Sequence, residues 1–274
     1  MGNHLRSAIY GFAVGDGLGV PYEFKMRGQF TYEESAGPLI WSDDTAMTLA
    51  TCDSIKRKKT IDPEDIMRSF EKWYFTGAYT PDNRAYGIGK TTAKAIEAFR
   101  WGKGIDQCGQ KSVRDNGNGA LMRILPLVFL DTLDEEIDKV SGLTHNHEIS
   151  KEGCRIYVEI GKRLLKGEDL ENIVKDIRTT DYYKRLPKLK ELSEEEISSS
   201  GYVVDTLEAS IWSIIHKDNY RDTLIKAIEL GEDSDTTAAV AGGLAGILYG
   251  YQGIPKEWID RLEGKDLLEE CLWY

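Results

Sequence analysis

Cysteine is scarce here: four residues in 274, at positions 52, 108, 154 and 271, with no Cys-x-x-Cys pair among them. That spacing argues against a zinc knuckle or a disulfide framework and suits thiols kept reduced in a protein interior. Histidine is equally rare. His145 and His147 lie two apart, but with no third histidine or cysteine beside them they make a poor zinc set. Positive charge is in deficit, 35 basic against 46 acidic residues, for a net charge of −11. Such a surface repels phosphate backbones and argues against general nucleic-acid binding, while a small phosphate-bearing ligand is still allowed where cations screen its site. No stretch reaches the about 18–20 apolar residues a membrane span needs. The longest weakly polar run, residues 236–251, is rich in Gly and Ala and follows charged residues. The N-terminal segment has no basic region leading into an unbroken apolar stretch, so neither signal peptide nor membrane anchor is expected, and a cytoplasmic protein is.

What is present is an ordinary soluble balance, 41% hydrophobic and 30% charged, in a chain long enough to bury a core without disulfides. Apolar residues recur at helical spacing over residues 4–14, 43–55, 91–101, 150–165, 204–216 and 221–230. Asp62-Pro63 marks another helix start, continued by Ile66, Phe70 and Trp73. Residues 119–130 are apolar but contain Pro126, which predicts a kink or break. Strand-like alternation is scarce, although Gly37-Pro38 predicts a short hairpin within residues 30–40. The polar run 181–201 reads as an exposed excursion interrupting one domain, because the chemical motifs lie on both sides of it. The expected fold is all-α, one domain over residues 1–274.

Two acidic motifs stand out. In WSDDTAM, Ser42 is a natural N-cap, and Asp43, Asp44 and Thr45 would open a helix. In GEDSDTTAAVAGGLAG, Asp233, Ser234, Asp235 and Thr236 precede an apolar helix of small residues. Carboxylates are favoured at helix N-termini by the helix dipole, which alone would account for one of them. Two such clusters are another matter. If the helix starts meet, four carboxylates converge, repel and raise one another's pKa unless cations join them. Hard cations such as Mg²⁺ take oxygen ligands of this kind, and a pair about 3.5–4 Å apart can activate water.

Other segments are individually weaker. YGFAVGDGLGVPYEF has glycines that permit close backbone approach, and Glu23 follows Pro21 on a loop. It is neither a P-loop nor a dinucleotide fingerprint. In DNGNGALMRILP, Gly117, Asn118 and Gly119 precede a helical stretch where backbone N–H groups can face an anion.

GDGLGVPYEF, WSDDTAM, NGNGALMR, THNHE and EDSDTTAAVAGGLAG, in this order over nearly the whole chain, resemble the motifs of the ADP-ribosylglycohydrolases, including the dinitrogenase reductase-activating type. The resemblance implies a compact orthogonal multi-helix fold with a dinuclear Mg²⁺ or Mn²⁺ centre. It places Ser42, Asp43, Asp44, Asp233, Asp235 and Thr236 at the metals. Glu23, Asp44 and Asp235 would do the chemistry, while Gly117, Asn118, Gly119 and His145 would hold ADP-ribose. The implied activity is hydrolysis of the bond between ADP-ribose and a modified protein side chain. An ADP-ribose-binding protein with little turnover, or a hydrolase of ADP-ribosylated nucleic acid or of a nucleotide derivative, is the alternative. The segment DNRAYGIGKTT, residues 82–92, lacks the acidic residue and Asn that some arginine-specific members carry, which leaves the acceptor open.

Overall fold

Helical spacing becomes helix at almost every place the sequence shows it. The computed structural model describes residues 2–273. In chain order the α-helices are α1 (Gly2–Gly19), α2 (Asp43–Lys58), α3 (Pro63–Thr76), α4 (Lys90–Arg100), α5 (Ile105–Cys108), α6 (Asp134–Gly142) and α7 (Glu148–Leu165). There follow α8 (Leu170–Asp176), α9 (Val203–Ile215), α10 (Tyr220–Glu229), α11 (Ser234–Tyr249), α12 (Lys256–Arg261) and α13 (Lys265–Cys271). Among the described residues there is no strand, only isolated bridges, and no helix is long and apolar enough to cross a membrane. The all-α expectation holds.

Local chemistry sets the helix ends. At α3 the Asp62 side chain accepts from the Asp65 N–H at 3.1 Å, and Pro63 occupies the first turn, where its missing N–H costs nothing. Ile66, Met67, Phe70 and Trp73 then bury one face, each stabilising the fold by about 1.5–3 kcal/mol. Gly77, at φ +69°, ends the helix in the left-handed conformation glycine adopts cheaply.

The centre of the core is the antiparallel pair α1 and α11, almost every residue of which is buried. Their backbones nearly touch. A Cβ on Gly15 would overlap the Ala238 carbonyl, and one on Gly19 would overlap the Asp235 backbone. This approach sets the last turn of α1 beside the first turn of α11, and so joins the two ends of the sequence at one point.

Two expectations need correction. Residues 30–40 form no hairpin. Leu39 instead bridges to Leu262, its N–H donating to the Arg261 carbonyl at 2.9 Å, while Glu34 accepts from Trp258 Nε1 at 2.7 Å and Arg261 Nη1 at 2.9 Å. These partners lie more than 200 positions away, out of reach of a turn signal. Residues 121–123 and 125–129 form 3₁₀ turns rather than a kinked α-helix, with Pro126 in the first turn of the second. The 181–201 run is exposed along most of its length but is not without structure. It folds as 3₁₀ turns that bury Tyr183, Leu186, Leu189 and Ile197, with its charged side chains outward. Arg27 clamps it by donating to the carbonyls of Glu194 and Ile197, both at 2.5 Å.

Candidate metal centre and ligand cleft

The site begins with Asp16, a residue that sequence reasoning passed over. It is fully buried near the end of α1. Its Oδ1 accepts from the Ser42 N–H at 2.9 Å, and its Oδ2 from the Thr45 N–H and hydroxyl at 2.9 and 2.6 Å. A side chain of α1 thus satisfies the free N–H groups that open α2. Ser42 caps the same helix, its Oγ accepting from the Asp44 N–H at 3.3 Å. A readable signal did exist: Asp16 falls on the apolar face marked by Ile9, Phe12 and Ala13, where a charge needs a reason.

At the opposite helix start, Asp233 occupies the cap position of α11 but makes no side-chain cap bond. Its Oδ2 accepts from Asn118 Nδ2 at 2.8 Å, and that amide also donates to Thr206 Oγ1 at 2.9 Å. The carboxylates then meet in two groups. Asp16, Asp44 and Asp235 bring ligand oxygens within 4.8 Å of one another, as do Glu23, Asp233 and Asp235. Asp235 belongs to both. Asp43 belongs to neither. It lies beside them under Gly87, where at φ +84° a Cβ would fall on its Oδ1. The Ser42 hydroxyl donates to Asp44 Oδ2 and the Thr236 hydroxyl to Asp44 Oδ1, each at 3.4 Å.

Glu23 follows a 3₁₀ turn at the end of α1. Its neighbour Phe24 has φ +65°, a costly conformation for an aromatic residue, and faces Glu232 at φ +54°. Two backbone bonds brace this pair: Phe24 N–H to the Glu232 carbonyl at 2.6 Å, and Glu232 N–H to the Lys25 carbonyl at 2.8 Å. The brace fixes Glu23 next to Asp233.

Burial and mutual repulsion dominate the electrostatics. Asp44 is driven well above the ordinary carboxylate range by burial, then by Asp16, Asp235, Asp43 and Asp233. Asp43 is raised by burial, Asp16 and Asp233, and Asp235 by burial, Asp233 and Asp16. Asp16 is pushed up only to about 6, because its hydrogen bonds offset much of the burial. Glu23 is raised by partial burial and by Asp233 and Asp16. Asp235 Oδ1 is buried with no hydrogen-bond partner. An all-oxygen donor set that crowds negative charge and orphans an acceptor fits divalent cations.

Above the clusters lies a cleft. Of the residues the sequence singled out, Glu23, Asp43, Asp233, Asp235 and Thr236 line it together with Gly117, Asn118, Gly119 and His145. Ser42 and Asp44 sit buried among the carboxylates. The Gly117–Gly119 segment is not the free helix start expected. The Asn118 N–H donates to the Gly201 carbonyl at 3.0 Å, clamping the loop onto the approach to α9. Sequence reasoning also missed Lys90 and Arg114, two positive charges on the cleft wall of an acidic protein.

Fold and site together define a class: an all-α protein whose cleft floor is a pair of carboxylate clusters drawn from both ends of the chain. The family profile for ADP-ribosylglycohydrolase matches residues 2–273, and the chain belongs to that family of glycosidic-bond hydrolases. It is 32% identical over 288 residues to the ADP-ribosylarginine hydrolase Tri1 of Serratia proteamaculans, covering 98% of this chain and 78% of that protein. It is 30% identical over 276 residues to the ADP-ribosyl-(dinitrogen reductase) glycohydrolase of Rhodospirillum rubrum, covering 94% and 90%. A solved structure described as an ADP-ribosylglycohydrolase-related protein complex superposes with a TM-score of 0.81 at 25% identity, over 98% of this chain and 95% of that one.

Proposed function

We propose that this chain hydrolyses the N-glycosidic bond between ADP-ribose and a modified arginine of a protein, in the cytoplasm, with two Mg²⁺ or Mn²⁺ ions held by its carboxylate clusters. The observation that carries this reading is Asp235, shared by both clusters and left with an unpartnered oxygen beneath the cleft. Asp16, Asp44 and Asp235 would hold one cation, and Glu23, Asp233 and Asp235 the other, with Asp43, Ser42 and Thr236 beside them. The cations would supply positive charge that gathers water and the ribose hydroxyls among carboxylates.

The chain's own groups do the rest. Glu23, raised in pKa and open to the cleft, is placed to take a proton from water. Asn118, fixed by Thr206 and Asp233, holds the loop of Gly117 and Gly119 against the ligand. Lys90 and Arg114 meet the diphosphate, and His145 donates from beside Gly117 and Gly119. An acidic cleft suits a guanidinium leaving group, and the Tri1 relative is named for that bond. The net charge of −11 supports a protein-borne acceptor rather than nucleic acid.

The test is release of ADP-ribose from arginine-, serine- and nucleic-acid-linked substrates with Mg²⁺ or Mn²⁺. Release from the arginine conjugate, abolished by chelator, is expected. Binding without release would make the protein an ADP-ribose binder, and release from nucleic acid alone would move the acceptor.

A further inference from the structure

Arg123 is fully buried without a carboxylate partner among the described residues. Its guanidinium lies 4.6 Å from the Phe70 ring centroid and donates to the carbonyls of Gly119 and Val140, each at 3.1 Å. Its remaining bond runs from Nη2 to Thr144 Oγ1 at 2.8 Å. A guanidinium only donates, so at this bond the threonine oxygen must accept. The Thr144 hydroxyl therefore keeps its own proton to give, and Thr144 is fully buried. Its one acceptor among the described residues is His145 Nδ1, at 2.8 Å.

We propose that Arg123 and Thr144 are positioning residues that fix His145 in a single tautomer, with Nδ1 accepting inside the protein and Nε2–H offered to a ligand oxygen in the cleft. The opposite tautomer would put a proton on Nδ1 and strand the buried hydroxyl proton without an acceptor, the more expensive arrangement. The guanidinium charge favours the first arrangement again, since a hydroxyl that accepts from a cation donates more strongly. Burial, and then Arg123, lower the His145 pKa to about 3, so the ring is neutral near pH 7 and has one proton to place. His145 lines the cleft with Gly117 and Gly119, and its Nε2, beside those two glycines, makes no hydrogen bond to the described residues. A Cβ on Gly117 would stand 3.7 Å from it and one on Gly119 3.3 Å, so the two glycines keep its approach open.

The ring is also held in place through its backbone. The His145 N–H donates to the Ser141 carbonyl at 3.0 Å, and Gln110 bridges the turn on both sides, donating to the Thr144 carbonyl at 2.8 Å and accepting from the Asn146 N–H at 2.7 Å. His145 is then a fixed donor, not a proton shuttle. The positive charge of Arg123 reaches the ligand through three hydrogen bonds, by way of Thr144 and His145. Only the identity of the ligand rests on the function proposed above.

Nitrogen-15 spectra of the imidazole, assigned by the signals lost in His145→Gln, test the tautomer without any ligand. The neutral Nε2-protonated pattern is expected in the native protein. Thr144→Val, nearly isosteric, should mix the tautomers and weaken ADP-ribose binding about three- to tenfold, the effect of one hydrogen bond. Thr144→Ser should restore both. An Nδ1-protonated ring in the native protein overturns the proposal, as does a Thr144→Val variant with unchanged spectrum and affinity. Failure of the native protein to bind ADP-ribose would instead overturn the function proposed above, while the spectra still decide the tautomer.

Discussion

The starts of α2 and α11 carry nearly the same letters, Ser-Asp-Asp-Thr and Asp-Ser-Asp-Thr. At α2 three opening amides are taken by side chains: Ser42 caps Asp44, and Asp16 of α1 takes the N–H groups of Ser42 and Thr45. At α11 the cap residue turns its carboxylate away, toward Asn118, and Asp235 leaves an oxygen unpaired. The first start is closed by side-chain hydrogen bonds, one to Ser42 and the others to Asp16. The second is held by the backbone contact of α1 with α11, so its carboxylates are released from structural duty. Matching motifs are therefore held differently, the first by side-chain hydrogen bonds and the second by backbone packing, while both give a carboxylate to the clusters.

Substitutions should separate the two. The largest effect is expected at the open start. Asp235→Ala should cut turnover by about a thousandfold or more at saturating Mg²⁺ or Mn²⁺, while circular dichroism shows an unchanged helix content. Near-normal ADP-ribose release would reduce Asp235 to an ordinary helix-start carboxylate. Next comes the contact that holds the open start. Gly15→Ala sets a methyl against the Ala238 carbonyl, backbone that cannot swing aside. A loss of about 1–3 kcal/mol in a denaturant titration is expected, and an unmoved midpoint would mean the helices do not approach that closely.

A third prediction concerns charge. Asp16 titrates at about 6 in the fold against an ordinary 3.8, so the folded state binds its proton more tightly than the unfolded chain does. In chelator, stability should fall as pH rises from about 4 to 6, and the raised pKa values of Asp44 and Asp235 should carry the decline further. Mg²⁺ or Mn²⁺ at pH 7 should raise the melting temperature again. A melting temperature that climbs over that range in chelator would contradict this. The smallest effect is expected at the closed start. Ser42→Ala loses a cap worth about 1 kcal/mol and should reduce turnover far less than Asp235→Ala. An equal loss of turnover would erase the contrast between the two starts.

Much of this was legible in the sequence, because helical periodicity and helix-start chemistry are local. Asp62-Pro63 and Ser42 mark the helix starts that form. The misreadings share a physical cause, a distant partner. Glu34 and Leu39 find α12 and the residue after it, which no turn signal near Gly37-Pro38 can announce. The polar run 181–201 is pinned at Tyr183, Leu186, Leu189 and Ile197, with Arg27 and α9 bonding to its backbone. In the site, Glu23, Asp44, Asp233 and Asp235 could be picked from motifs, but Asp16 was hidden by its glycine neighbours. Asp43, prominent in its motif, falls outside both carboxylate groups because a helix turns successive side chains about a hundred degrees apart.

The contact between α1 and α11 also bears on synthesis. Ser234 bonds to the Gly19 carbonyl across 215 positions of chain. At roughly 5–20 residues per second, α1 waits roughly 10–40 s on the ribosome before its partner is made. Until then its glycine-lined face has nothing to close against. The floor of the cleft cannot assemble before α11 is made, and a nascent chain stalled before α11 would expose an apolar helix to chaperones and proteases instead of presenting a half-built enzyme.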